Sequence, residues 1–222
     1  MELALEQFLT WDDLILGGSS LGEVINAVYH NRYGLGKHSS IGDIERVCGT
    51  AICKEYLIFA TIRNPLDRLC SLYNFIGAFV QNYLNTHHLT VNELRISVIG
   101  DGVDGQPELA WPASAAFLES ADFSTFVRNE RLSRDEAAQT QVSRLRSSVD
   151  HTIPAKALRL ENCREWLGRL KMALELPVIA FPHANRSERT LITPNQVSHD
   201  DRLFIEEWFH EDYAAFQYPA SA

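Results

Sequence analysis

Arg63, Ser71 and His38 are the residues whose types and spacing hold the clearest chemistry in this chain. The guanidinium of Arg63 never loses its charge and presents paired donors in a plane, the arrangement that suits a phosphate. Ser71 follows it in the run Arg63-Asn64-Pro65-Leu66-Asp67-Arg68-Leu69-Cys70-Ser71-Leu72-Tyr73. If a helix starts at Pro65, Ser71 stands about two turns up it, roughly 9 Å along the axis. A long cationic arm below and a hydroxyl above then converge on one anion lying against the helix flank. His38 is the best general base, because imidazole titrates near neutrality. An exposed histidine that stabilises its own loop is the competing reading of that position.

Such a pocket needs a strand that hands over to a helix. Tyr56-Leu57-Ile58-Phe59-Ala60-Thr61-Ile62 has the length and the β-branched and aromatic content of a buried strand. Asn64 is placed as N-cap, Pro65 sits at the first helical position, and Asp67 adds a carboxylate in the first turn. The helix is expected to run to about Tyr83. A second short strand is expected over Lys156 to Leu160, followed by a helix from Glu161 to Leu176 that ends before Pro177. Ser40 caps a helix from Ile41 to Val47 that stops at Gly49, and Ser198 caps the last helix, from Asp200 to about Phe216. Residues 1–9 read as a helix, 22–33 as helical or irregular, and Asp122 to Leu132 and Asp135 to Ser147 as two further helices. Residues 85–115, with Asp101-Gly102 and Asp104-Gly105, read as a turn-rich excursion of the kind that forms binding loops. The whole describes an α/β chain, a parallel sheet flanked by helices, in a single domain over 1–222.

The run from Arg63 to Tyr73 resembles the 3′-phosphate-binding motif of sulfotransferases that use 3′-phosphoadenosine 5′-phosphosulfate (PAPS). It is most similar to the carbohydrate-type, bacterial-like branch, whose pattern is a strand and then Arg-(Asn/Asp)-Pro-x-x-Arg-x-x-Ser-x-Tyr. Arg63, Asn64, Pro65, Arg68, Ser71 and Tyr73 all match it. Gly34-Leu35-Gly36-Lys37-His38-Ser39-Ser40 resembles the segment upstream of that strand, and Leu158-Arg159-Leu160-Glu161-Asn162 a later strand-then-Glu segment. Pro182 to Ser187 resembles a late His-x-Asn-x-Ser loop, and Asp212-Tyr213 to Tyr218 a closing helix. The resemblance runs in order from about residue 3 to 218. It implies that Arg63 and Ser71 hold the ribose 3′-phosphate of PAPS and that His38 is the catalytic base. The implied reaction moves a sulfuryl group from PAPS to a hydroxyl acceptor on a carbohydrate or glycolipid, with no metal.

The same family grips the 5′-phosphosulfate with a Lys- and Gly-containing loop after its first strand. This chain begins inside what resembles the helix after that loop, which implies an N-terminally incomplete domain of a P-loop-like sulfotransferase fold. Two expectations follow: a start assigned too late, or a truncated, non-catalytic remnant that binds nucleotide weakly or serves as an interaction protein. Gly34 to Ser39 does not replace the loop. A nucleotide P-loop needs Gly, four residues, then Gly-Lys-(Ser/Thr), whereas Asn31 holds the first glycine position and His38 the Ser/Thr position.

Composition narrows the classes further. With 222 residues, 45% hydrophobic and 22% charged, the chain can bury a real core. A net charge of −9 argues against nucleic acid as a partner, because such surfaces are basic. No apolar run reaches the length of a membrane span, and Met1-Glu2-Leu3-Ala4-Leu5-Glu6 lacks the features of a secretion signal. Cys48, Cys53, Cys70 and Cys163 lack zinc-site spacing and read as reduced thiols, so a cytoplasmic address is expected. Lys37 reads as a surface lysine and Arg68 as a brace that pairs with an acid. His87 and His88 read as a loop pair, His183 and Asn185 as loop residues near the cofactor, and the four tryptophans as core or rim aromatics.

Overall fold

The computed structural model describes residues 14, 16–17, 20–100, 107–173, 175 and 190–220, and it is a mixed α/β structure, mostly helical. In chain order the helices are α1 Ser20–Tyr33, α2 Ile41–Cys48, α3 Ile52–Glu55, α4 Pro65–His87, α5 Val91–Gly100 and α6 Pro112–Glu119. They continue with α7 Phe123–Val127, α8 Gln141–Leu145, α9 Cys163–Ala173, α10 His199–Trp208 and α11 His210–Phe216. Two strands, β1 Phe59–Ile62 and β2 Lys156–Arg159, form a parallel sheet. The chain divides into two units, Met1–Arg63 with Gln141–Ala184, and Asn64–Thr140 with Asn185–Ala222. The helix expected over 1–9 and the loop at 181–187 lie outside the described residues. Among the described residues no helix is long and apolar enough to cross a membrane.

In the first unit the register runs from Phe59 opposite Lys156 to Ile62 opposite Arg159. The Lys156 amide donates to the Ile58 carbonyl at 2.9 Å. Alternate residues of a parallel strand face the partner, so the next donor down β2 is residue 154. That residue is Pro154, which has no N–H, and pairing stops. The strand expected from Tyr56 is therefore shorter, starting at Phe59. Before it, α2 is capped as expected: the Ser40 hydroxyl accepts from the Asp43 amide at 3.1 Å, and the Asp43 carboxylate accepts from the Ser40 amide at 2.9 Å. The helix ends at Gly49, whose φ of 84° disfavours a side chain.

The same helix buries Glu45, which keeps 5% of its surface. Its carboxylate accepts from the Ser147 hydroxyl at 2.6 Å and from the amide and hydroxyl of Ser148, both at 2.8 Å. The Cys53 thiol adds a weaker contact at 3.5 Å. Neutral donors alone satisfy this charge in the contacts described, and the serine bonds, that of Ser147 foremost, hold its pKa below the ordinary carboxylate value.

The second unit is organised around α4. Leu66, Leu69, Cys70, Ile76, Val80, Tyr83 and Leu84 are buried along one stripe at helical spacing. They share a core with Leu94, Leu109, Ala113, Phe126, Leu132, Ile205 and Phe209. The excursion expected over 85–115 is instead largely helical in its described part. Thr90 and Glu93 form a capping pair, with the Glu93 carboxylate accepting from the Thr90 amide at 2.7 Å and the Thr90 hydroxyl from the Glu93 amide at 3.3 Å. Pro112 starts α6, and the buried Asp135 accepts from the Ala113 amide at 2.8 Å. That tertiary cap explains why 135–147 is not one helix: Asp135 turns inward and is followed by a 3₁₀ turn, Glu136–Ala138, before α8. The last helix is also divided, because Phe209, fully buried, adopts ψ 26° between α10 and α11.

Two outcomes follow. Leu69 is wholly buried in the core, so Leu69→Ala should cost about 2–5 kcal/mol in urea unfolding. Glu45 has a lower pKa folded than unfolded, so its stabilisation is whole above the ordinary carboxylate range and is lost as pH falls through the depressed value. Thermal melting of Glu45→Gln should therefore lie below the parent near neutrality and converge on it as pH falls through that depressed value.

Candidate functional site

The candidate site is the handover from strand to helix. Pro65 biases the residue before it towards extended backbone, and Asn64 adopts φ −49° and ψ 129°. The Asn64 side chain accepts from the Leu66 amide at 2.9 Å, and Pro65 fills the first helical position, where no N–H is needed. Asp67 lies in the first turn, where the helix dipole favours a carboxylate. The cap, the proline and the first-turn carboxylate thus stand where the sequence puts them, behind a strand shorter than expected.

Arg63 follows the strand in the first unit. Its amide donates to the Gln141 side-chain carbonyl at 2.8 Å, and the Gln141 side-chain amide donates back to the Arg63 carbonyl at 2.9 Å. One primary amide thus pairs with the backbone as a neighbouring strand would, and it fixes the base from which the guanidinium extends. The side chain is half-buried, and among the described residues its guanidinium makes no ion pair or hydrogen bond. Gln141 lies 78 positions away in sequence, and nothing local announces it.

Ser71 lies on α4 in the second unit, half-buried, and its hydroxyl makes no hydrogen bond among the described residues. Because Arg63 and Ser71 fall in different units, each is described within its own. Tyr73, the last residue of the run, belongs to the core. Its ring meets those of Phe117, Phe123 and Phe126 at centroid distances of 4.9, 5.5 and 5.1 Å, and burial pushes its hydroxyl pKa up.

Arg68 braces its helix through an acid, as expected. Its guanidinium donates to the Gln139 carbonyl at 2.7 Å, stacks over the Phe209 ring at 5.1 Å, and lies 4.0 Å from the fully buried Asp212 carboxylate. Burial lowers its pKa while Asp212 opposes that shift, and its Nε is buried without a partner.

His38 is exposed in the first unit, on the turn between Gly36 and α2. The turn is held by the Gly36 amide donating to the Ser39 hydroxyl at 2.8 Å and the Ser39 amide donating to the Gly36 carbonyl at 2.9 Å. Lys37 pairs with Glu23 at 2.7 Å, which accords with a surface lysine. His87 closes α4 against Tyr83, with ring centroids 4.2 Å apart, and His88 takes the left-handed cap position at φ 54°. His183 and Asn185 lie outside the described residues. Among the tryptophans, Trp166 is buried, Trp208 is half-buried and Trp111 is exposed, stacked on Phe75. Comparison with protein-family models, with curated proteins and with solved structures finds no match to this chain.

The brace yields a test. Removing one partner of a buried pair leaves the other charge uncompensated, so Asp212→Ala should cost about 3–5 kcal/mol, and Arg68→Met in that background should recover part of it. Urea denaturation of the four members of this cycle measures both effects.

Proposed function

We propose that this chain is a PAPS-dependent sulfotransferase of the carbohydrate type, built on a P-loop-like parallel sheet. Its reaction transfers a sulfuryl group to a hydroxyl on a sugar or glycolipid. The observation that carries this reading is the Arg63 guanidinium: half-buried just beyond the carboxyl end of a parallel strand, anchored through its backbone, and without an anionic partner among the described residues. Crevices at the carboxyl ends of parallel strands are where α/β proteins bind nucleotides. A cation without an acid and a hydroxyl without an acceptor suit a phosphate as a donor set, and Ser71 supplies the second of these.

In this reading Arg63 and Ser71 hold the ribose 3′-phosphate. PAPS, when bound, supplies an activated sulfuryl group and leaves as adenosine 3′,5′-bisphosphate. The exposed imidazole of His38 takes the proton that the acceptor hydroxyl must lose as its oxygen bonds to sulfur. Gln141 keeps the strand end rigid, so the guanidinium presents its donors from a fixed base.

Calorimetric titration of the full chain with adenosine 3′,5′-bisphosphate tests the proposal. Binding is expected. A charge-assisted bond is worth about 1.5–3 kcal/mol, so Arg63→Ala should weaken it roughly 10–100-fold, and Ser71→Ala by about tenfold or less. Absence of binding, or identical affinity in Arg63→Ala, would overturn it. Binding without transfer of labelled sulfate to a panel of sugars would make the chain a nucleotide-binding remnant, and transfer lost in His38→Ala supports the base.

A further inference from the structure

The first unit carries a second feature, unrelated to the phosphate chemistry above: a groove of about 480 Å³ along β2, walled by α9. That is within the usual size range of small-molecule sites. We infer that it binds a small amphipathic anion, a single apolar chain or ring carrying one carboxylate, sulfate or phosphate.

The apolar part is built by Phe59, Leu158 and Trp166, with Leu57 contributing side chain that is 50% exposed. Phe59 and Leu158 stand on adjacent strands, where the register sets Phe59 opposite Lys156 and Leu158 opposite Thr61. In-register residues share a face of the sheet, so Lys156 and Leu158 lie on the face of Phe59. Trp166 is fixed rather than adaptable: it is buried, and its indole N–H donates to the Arg159 carbonyl at 2.7 Å, tying α9 to the end of β2. The groove therefore has a rigid apolar wall.

The rim is cationic. Lys156, Arg159 and Arg169 line the groove against one carboxylate, Glu165. Arg169 is already paired with Glu165 at 2.5 Å, but the exposed Lys156 ammonium makes no ion pair or hydrogen bond among the described residues. In a chain of net charge −9 the wider field repels anions, so a local excess of cations beside apolar surface sets the sign of the occupant. The same excess disfavours a second copy docking here across a two-fold axis, which would bring Lys156 near its own equivalent. A ligand with an apolar body and one negative head fits both features.

Titration calorimetry of the full chain with sodium decanoate, below its micellar concentration, tests this, with decanol and decyltrimethylammonium as controls. Saturable one-to-one binding of decanoate, weakened by added salt and by about tenfold in Lys156→Glu, is expected. Lys156 is exposed, so an unchanged melting temperature will show that the variant is folded. Arg63→Ala should bind decanoate normally, which separates this site from the nucleotide site. Binding of decanol or decyltrimethylammonium as tight as decanoate, or decanoate affinity unchanged in Lys156→Glu, would overturn the assignment. So would co-sedimentation with phosphatidylglycerol vesicles without binding of free decanoate, since the rim would then be a membrane contact.

Discussion

A proline that cannot donate sets the boundary on which the local architecture turns. Pro65 forbids helix before it and favours helix after it, while Asn64 satisfies the Leu66 amide that the first turn would otherwise leave bare. The chain is thus extended up to Asn64 and helical from Pro65, with no room for slippage. Pro154 acts in the same way on the other strand, ending the ladder where its missing N–H would have been the next donor. Among the described residues, two prolines therefore bracket a sheet four residues deep, too small to be stable by pairing alone. Side-chain bonds finish it: Gln141 on the backbone of Arg63, and the Trp166 indole on the carbonyl of Arg159.

Buried charge is handled differently in the two units. In the first, the contacts described for Glu45 are hydroxyls, one amide and a thiol. In the second, Asp201 and Asp212 meet arginines, while Asp135 accepts from the Ala113 and Ala137 amides. Asp201 is bonded by Ser198 and Ser124 and paired with Arg128, which also lies over the Phe204 ring at 4.8 Å. Burial pushes the Asp201 pKa up, and the serine and arginine bonds outweigh it, so the net shift is downward. Arg68 and Asp212 repeat the pattern at the first turns of α4 and α11. The orphan Nε of Arg68 marks that pair as the less completely satisfied of the two.

What could be read from the sequence was local. Ser40, Asn64-Pro65 and Ser198 announce their helices because a cap bonds within three residues of itself. The apolar stripe of α4 is legible for the same reason, its period being a property of one segment. Thr90-Val91-Asn92-Glu93 carries the same kind of signal, and its capping pair was readable, but the Asp-Gly pairs at 101 and 104 outweighed it in the reading of 85–115. The break at Phe209 and the inward turn of Asp135 were not readable, since each follows from packing against residues distant in the chain. Gln141 and the serines around Glu45 belong to that class too. Of the site, the residue types and the strand-cap-helix frame were legible; the support beneath Arg63 was not.

The hydroxyl cage around Glu45 has a consequence for ionic strength. Mobile ions screen the attraction between opposite formal charges, most strongly where one of them faces water, as Arg128 does. A carboxylate held by dipoles from serine and amide presents no such attraction to screen. Concentrated brine should therefore weaken the Arg128–Asp201 pair while leaving the serine cage around Glu45 nearly indifferent.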